Sequence, residues 1–449
     1  MRGSCFALFM LVVFLATAPG TVFSQNPIIS DQFTADPSAR VFEGKVYLYP
    51  SHDIPATEGQ GRVGWFCMAD YHVFSSANLV DWTDHGVIVS QETVPWVNAK
   101  AYSLWAPDAI SRHGKYYFYF PAPARDTSLG RGFSIGVAVS GSPSGPFAPE
   151  PQPITRARGI DPNVFIDQDG QAYLYWAARE MYVAKLKDNM VELDGEPQVI
   201  RDLPTQGLKE GPFVFERNGM YYMTYPHVQD STERLEYAIG DRPEGPFKVT
   251  GVIMDESSTG CWTNHQSILE FNHQWYLFYH HNDLSPQFDK NRSVRVDSLF
   301  FNDDGTIRKV VPTLRGVGVT DAKKNIHIDR YSRKSDRGSS VDFLDTLNRF
   351  GGWKAILDTA SAWIQYNSVD FGAKELNTVH VRTSSASGGT LELRHDNNDG
   401  PVVARVEIPD GSGWRDIKAP VNGFQPGIHN LIVQLKGAGR VEVDWIRFE

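Results

Sequence analysis

Three observations predict an all-β chain, a five-bladed β-propeller followed by a β-sandwich. A tyrosine-rich hairpin pattern recurs five times between Asp36 and His280. A different, denser strand alternation takes over beyond about residue 320, and no long segment carries helical periodicity.

The first element is not part of the fold. Arg2, the apolar run Cys5–Ala16 and the small-residue end Val22-Phe23-Ser24 read as a secretory signal peptide over residues 1–24, so the mature chain is expected to be secreted or periplasmic. No later stretch approaches the ~20 apolar residues of a membrane span. Cys5 leaves with that peptide. Cys67 and Cys261 remain, too few for a disulfide scaffold or a zinc site, and they read as two buried thiols.

The propeller, residues 25–325, rests on five units: DPSARVFEGKVYLYP from Asp36, APDAISRHGKYYFYF from Ala106, DPNVFIDQDGQAYLYW from Asp161, EGPFVFERNGMYYMTY from Glu210 and HQSILEFNHQWYLFYH from His265. The leaders fall at intervals of 70, 55, 49 and 55 residues, room for about four short strands each, which is the signature of a propeller blade. Each unit contains an apolar strand, a turn such as Glu43-Gly44, Asp169-Gly170 or Asn218-Gly219, and an aromatic strand. Residues 320–325 break the rhythm. From 326 to 449, short strands such as TVHVRTSS, TLELRHD and VEVDWIRFE alternate between Gly, Asn and Asp turns, as in a β-sandwich.

Composition narrows the function classes. Hydrophobic residues make up 41% and charged residues 21% of 449, which suffices for packed cores. A net charge of −10 leaves no basic surplus to neutralise a phosphate backbone, which excludes a dedicated nucleic-acid binder. The 11 Trp and 18 Tyr suit sugar-stacking surfaces and aromatic β-cores alike.

If each leader opens the innermost strand of its blade, Asp36, Ala106, Asp161, Glu210 and His265 converge at one end of the central channel. Packing alone would place small residues there, as at Ala106. Three carboxyls and an imidazole point instead to chemistry. Glycoside hydrolysis needs two carboxyls, and a third nearby raises the pKa of the acid by like-charge repulsion. A hard cation such as calcium is the alternative use of such a cluster.

At these residues the chain resembles glycoside hydrolase family 43. ADPS around Asp36, GIDPNVFIDQDG around Asp161 and KEGPFVFERNGMYYMTY around Glu210 match that family's three acidic motifs in order, and the likeness covers roughly residues 26–315, WAPD at Trp105 and NHQS at His265 included. The resemblance implies an inverting mechanism with Asp36 as general base, Glu210 as general acid and Asp161 orienting and tuning Glu210. It further implies calcium in the channel at His265 and a sugar contact from Arg292, with Arg295 as the lesser choice. Stretches lining the pocket would lie at Ser51–Asp53, with His52 and Asp53 as substrate contacts, and at Ala69–Ser76. Trp105 either walls the sugar pocket or caps its blade, and Trp82 reads as packing in an outer strand. Within the family, an exo-acting α-L-arabinofuranosidase is expected first, then a β-xylosidase or a galactan- or galactofuranose-cleaving enzyme, with an oligo- or polysaccharide as partner.

Residues 326–449 resemble a family 6 carbohydrate-binding module through WIQYNSVDF, TVHVRTSS, the GSGW turn at Trp414 and the closing VDWIRF. Such modules bind sugar through an aromatic pair and an Asn near the last strand, where this chain has Glu442; either retained sugar binding or a docking role follows. Trp414 is expected exposed, Trp353 follows Gly351-Gly352, and Trp445 alternates with Val441 and Val443 into the core. Two other classes stay open. A propeller lectin would not need three rim carboxyls, and a polysaccharide lyase would favour a Lys/Arg-rich cleft.

Overall fold

A computed structural model of the chain describes residues 25–126 and 132–449, so the expected signal peptide lies outside the described residues. Five antiparallel sheets follow one another. Blade 1 comprises Phe33–Phe42, Lys45–Asp53, Asp70–Ser76 and Thr83–Ser90, and blade 2 Asp108–Arg112, Lys115–Pro123, Phe133–Ser140 and Ala148–Pro149. Blade 3 comprises Ile160–Ile166, Ala172–Ala177, Met181–Leu186 and Leu193–Val199, and blade 4 Phe213–Arg217, Met220–Val228, Glu233–Gly240 and Phe247–Met254. Blade 5 has three strands, Ser267–Phe271, Gln274–His281 and Ser293–Leu299. The first strand of each blade touches the first strand of the next, and that of blade 5 touches that of blade 1, which closes the ring around a channel.

The tyrosine-rich strands follow from burial on both faces. In blade 2, Phe118 and Phe120 pack with Tyr49 of blade 1, while the alternate Tyr117 and Tyr119 pack with Leu174 and Trp176 of blade 3. A strand sandwiched between two blades has no solvent face, so its sequence is a continuous apolar run. Four of the five hairpin turns place two successive residues at positive φ, for example Glu43 and Gly44 at 50° and 74°, the geometry that matches strand twist. Blade 3 differs: its turn spans Asp167–Gln171, closed by the Gly170 N–H donating to Asp167 O at 2.9 Å.

Polar staples join the blades around the channel. Asp108 accepts from Ser38 Oγ at 2.5 Å and Arg40 Nη2 at 2.5 Å on blade 1, and from Asn163 Nδ2 at 3.0 Å and the Val164 N–H at 2.6 Å on blade 3. The Val214 N–H of blade 4 donates to Asn163 Oδ1 at 2.9 Å, and the Ala39 N–H of blade 1 donates to Ser267 Oγ of blade 5 at 3.0 Å. The start of the described chain completes blade 5. The Ile28 N–H donates to Val294 O at 2.9 Å, and the buried Asn26 side chain bonds Val296 N at 2.8 Å and Thr313 O at 2.8 Å.

The sandwich begins within the polar segment where the sequence changes rhythm, since Thr320–Asp321 pair in parallel with Val369–Asp370. Two sheets, built mainly on Trp363–Asp370, Gly389–His395, Val402–Ile408 and Ile428–Lys436 in one and Trp353–Leu357, Thr378–Ser385, Gly411–Pro420 and Val441–Phe448 in the other, enclose one apolar core. Trp445 is not in that core. The strand pairing slips so that Trp445 faces Arg382 and Val443 faces Thr383, and the extra residue Asp444 inverts the alternation. Ile446 and Phe448 therefore point inward, and half-buried Trp445 lies outside beneath Arg447. Trp414 is half-buried beside Arg382 rather than free, and Trp353 lies under the Arg330 guanidinium, 3.8 Å from its ring centre.

Asp108→Ala is expected to destabilise the propeller by about 3–5 kcal/mol, because Arg40 and the Val164 N–H lose their common buried partner. Urea unfolding of the variant checks it, and a change below about 1 kcal/mol would refute the staple.

Candidate active site

Local backbone irregularities aim the two aspartates into the channel. Asp36 and Asp161 stand at φ 46° and 57°, in the left-handed region that few residues other than glycine adopt, and each precedes a proline. Around both, the pairing with the next strand slips, between Ala35 and Ser38 and between Tyr175 and Ala177. A bulge of this kind re-aims one side chain without disturbing the strand beyond it. Glu210 arrives differently, on the segment just before Phe213–Arg217. All three line one cavity of about 190 Å³, together with His265, Arg292 and the aromatic walls Phe66, Trp105 and Trp262.

Asp36 is fixed as an anion. Arg292 Nη1 donates to its Oδ1 at 2.7 Å and Ser51 Oγ to its Oδ2 at 2.7 Å. The Asp36 N–H donates to His280 Nδ1 at 3.1 Å, so this fully buried ring carries its proton on Nε2, towards Thr263. Burial alone would raise the Asp36 carboxyl, but the Arg292 guanidinium, with smaller contributions from the His280 and His265 rings and the Ser51 hydrogen bond, outweighs it and holds the pKa at about 2. Arg292 is itself clamped from behind: Nε and Nη2 donate to the two oxygens of Asp53, each at 2.9 Å, and its ring-like plane lies over Phe66.

The other carboxyls are pushed the opposite way. Burial, then the charges of Glu210 and Asp36, raise Asp161 well above the ordinary aspartate value, against the Gly211 N–H hydrogen bond at 2.9 Å and the charge of Arg292. Glu210 is raised by burial and then by Asp36. A third member, Glu233, is buried beside Glu210 and also raised, with Oε2 accepting the Asn264 N–H at 2.6 Å. Three crowded carboxyls away from water cannot all ionise, so protons are retained among them. Gly211 is required here: at φ 54°, a Cβ would meet Pro226 Cδ at 2.9 Å and His265 Cε1 at 3.0 Å.

The structure thus brings Asp36, Asp161, Glu210, His265, Arg292 and Trp105 to one cavity. It does not bring His52 and Asp53 there. Asp53 acts from behind Arg292, and His52, one residue earlier on the strand and so on the opposite face, pairs with Asp70 instead. Arg295 is tied to Asp283. His265 is half-buried at the cavity wall, and its removal from water, the largest influence, keeps its pKa below the usual value. Cys67 and Cys261 are both buried and unbridged, and Trp82 is buried against Phe278. Sequence reasoning placed Ser51 in a pocket-lining stretch without its bond to Asp36, and it missed His280, at the end of an aromatic strand, and Glu233. It also missed Phe66 and Trp262, which stand in loops without repeat position, and Asp108, two residues past the leader Ala106.

Comparison with known proteins gives two matches along the chain. The model of Glycosyl hydrolases family 43 matches residues 24–307, and that of Carbohydrate binding module (family 6) matches residues 334–449. A xylosidase/arabinosidase 43A of Humicola insolens is 39% identical over 331 residues, covering 63% of this chain and 98% of that protein. Among solved structures, a β-xylosidase/α-arabinofuranosidase from a compost microbial metagenome, in complex with xylotriose in a calcium-free form, is 36% identical with TM-score 0.57 over 64% of this chain and 97% of its own. An arabinoxylan arabinofuranohydrolase from Bacillus subtilis, in complex with cellotetraose, is 25% identical with TM-score 0.56 and covers 96% of this chain and 98% of its own.

Arg292→Met is expected to release the Asp36 carboxyl from about 2 to above the ordinary aspartate value of 3.8, since burial then dominates. Carboxyl-carbon NMR titration of labelled aspartate checks the shift, and a midpoint still near 2 would show that Arg292 does not set it.

Proposed function

This chain belongs to glycosyl hydrolases family 43, and on that premise we propose that it is a secreted, inverting, exo-acting α-L-arabinofuranosidase working on arabinoxylan-type side chains. One observation carries the reading. A carboxylate held ionised, Asp36, and a carboxyl pushed toward protonation, Glu210, line the same small cavity from blades 1 and 4. These are the charge states that a base and an acid need before substrate arrives.

In this mechanism Asp36 takes a proton from water as the water attacks the anomeric carbon, while Glu210 gives its proton to the departing glycosidic oxygen. Arg292 and Ser51 already occupy one lone pair on each Asp36 oxygen, which orients the remainder toward the cavity. Asp161, linked to the Glu210 segment through the Gly211 N–H, shares the retained protons with Glu210, and the charge left behind when the pair gives up its last proton opposes that loss. The blades of Asp36 and Glu210 are not neighbours on either side of the ring, which favours the wide carboxyl separation that leaves room for water, about 6.5–9.5 Å, over the 5–5.5 Å of a retaining enzyme. A cavity of about 190 Å³ walled by Phe66, Trp105 and Trp262 suits one terminal sugar ring. The buried indole N–H of Trp105 has no partner among the described residues and can donate to a sugar hydroxyl.

β-Xylosidase activity is the second reading, favoured by the relative named for both activities and by the solved relative that holds xylotriose. At His265 the cavity offers a calcium ion one imidazole nitrogen, the remainder of the sphere being water, as suits a hydrated ion. The carboxylates acting on His265, Asp36 and Asp108, are committed to Arg292 and Arg40. Such an ion would add positive charge beside the base. The sandwich reads as a buttress, since Trp353 is covered by Arg330 and Glu442 is closed by Lys354 and Arg440, each at 2.9 Å.

Initial rates on aryl α-L-arabinofuranoside and aryl β-D-xylopyranoside are expected to favour the former, and proton NMR of the first-formed sugar is expected to show the anomer opposite to the substrate. A retained anomer would overturn the base role of Asp36. In Asp161→Asn, the alkaline limb of the pH–rate profile is expected to move to lower pH. That limb reports loss of the last proton from the coupled carboxyls, and removing one negative neighbour makes the loss easier. An unmoved limb would deny Asp161 its tuning role.

A further inference from the structure

Outside the sugar cavity, blade 1 carries a second cluster of chemistry-bearing side chains. The strands Lys45–Asp53 and Asp70–Ser76 run antiparallel with Val46 opposite Ser76 and Leu48 opposite Phe74, a register that, continued, sets His52 opposite Asp70. His72 lies two residues beyond Asp70 and hence on the same face. Three groups of metal-ligand type converge as a result. His52 Nδ1 lies 2.6 Å from Asp70 Oδ1, His72 Nε2 lies 3.9 Å from the same oxygen, and the ligand atoms of all three residues fall within 4.8 Å of one another. The two imidazole rings meet edge to face, 4.8 Å between centroids.

Ion pairing alone does not account for this arrangement. The partner of His72 is Asp84, whose two oxygens lie 3.1 and 3.0 Å from Nδ1. Asp84 is in turn fixed by the Gly86 N–H at 2.7 Å and by Gln32 Nε2 at 3.1 Å. With Nδ1 so engaged, His72 presents Nε2 toward an Asp70 oxygen that His52 already reaches. A carboxylate behind an imidazole, fixing its tautomer and orientation, is the arrangement that supports metal-bound histidines. Ligands at about 2.0–2.1 Å around a tetrahedral ion sit roughly 3.3 Å apart, and the separations of 2.6 and 3.9 Å bracket that spacing. The side chains are 16–24% exposed, ordered yet reachable by an ion from solvent.

We propose that His52, Asp70 and His72 form a binding site for a zinc-class divalent cation, with Asp84 as the supporting carboxylate and water completing the sphere. Two imidazoles and one carboxylate suit zinc and its borderline neighbours, whereas calcium prefers all-oxygen cages, so the site is chemically distinct from the one expected at His265. Its position gives it a reach into the catalytic apparatus. His52 is the residue before Asp53, which clamps Arg292 against Asp36.

The test uses untagged, chelator-treated full chain, titrated calorimetrically with Zn²⁺ in the presence of excess Ca²⁺. One zinc per chain is expected. That binding is expected to be lost in His52→Ala and in His72→Ala, and weakened about 10–100-fold in Asp84→Asn, which leaves all three ligands in place. Cobalt(II) substitution supplies a second readout, a visible band of tetrahedral intensity present in the parent and absent from Asp70→Asn. Circular dichroism and thermal melts establish that each variant is folded, and Asp84→Asn and Asp70→Asn carry the test if a histidine variant is not. No calcium-resistant zinc binding, or zinc binding that the four substitutions leave unchanged, would overturn the assignment.

Discussion

One buried guanidinium holds the working end of the propeller together. Arg292 enters from blade 5 and is gripped on two donors by Asp53 of blade 1, and a further donor reaches Asp36. A cation without water must be paired, and two carboxylates oblige both neighbouring segments to approach it. The seam between the last and first blades and the ionised state of Asp36 are therefore one interaction seen from two sides. Any arrangement that lets Asp36 take up a proton also leaves the buried Arg292 half-paired.

The same cavity works against stability on its other side. Asp161, Glu210 and Glu233 have folded-state pKa values raised above their unfolded ones, burial being the first cause. Their contribution is fully present below the unfolded values of about 4 and is lost as pH rises through the raised folded ones. Asp36 runs in reverse: its contribution is present above 3.8 and is lost as pH falls through about 2. Strained backbone at Asp36 and Asp161 adds to this cost. The aromatic interfaces between blades supply the compensating apolar burial, and the polar staples at Asp108 and Asn163 hold the ring in register while they do so.

What the sequence displayed and what it hid divide along physical lines. Doubly buried strands write themselves as unbroken aromatic runs, and left-handed turns demand residues such as Gly44 and Gly219, so the five hairpins were legible. Acidic residues at matched repeat positions were legible for the same reason, because the repeat carries them to one rim. The direction of Trp445, which depends on a single pairing slip away from any repeat, was not. Asp444 inverts the alternation that would have sent Trp445 inward, and no local signal marks such an extra residue. His52 and Asp53 show the limit most plainly: adjacent letters on one strand face opposite ways, one toward Arg292 and the other toward Asp70. Phe66 and Trp262 stand in loops, where neither period nor register applies.

The placement of Asn26 has a consequence for biosynthesis. Its partners are Val296 and Thr313, and the neighbouring Gln25 reaches Tyr366 Oη at 3.1 Å, across 341 positions of chain. Gln25 and Asn26 are made before all of these partners, and they have nowhere to dock until the fifth sheet and the start of the next domain have been made. During translation the nascent ring stays open like an unfastened collar, with the edges of its first and latest blades uncovered. Contacts of such long span form slowly and leave apolar strand edges exposed meanwhile. The interval of greatest vulnerability to misassembly therefore lies late in synthesis, just before the clasp engages.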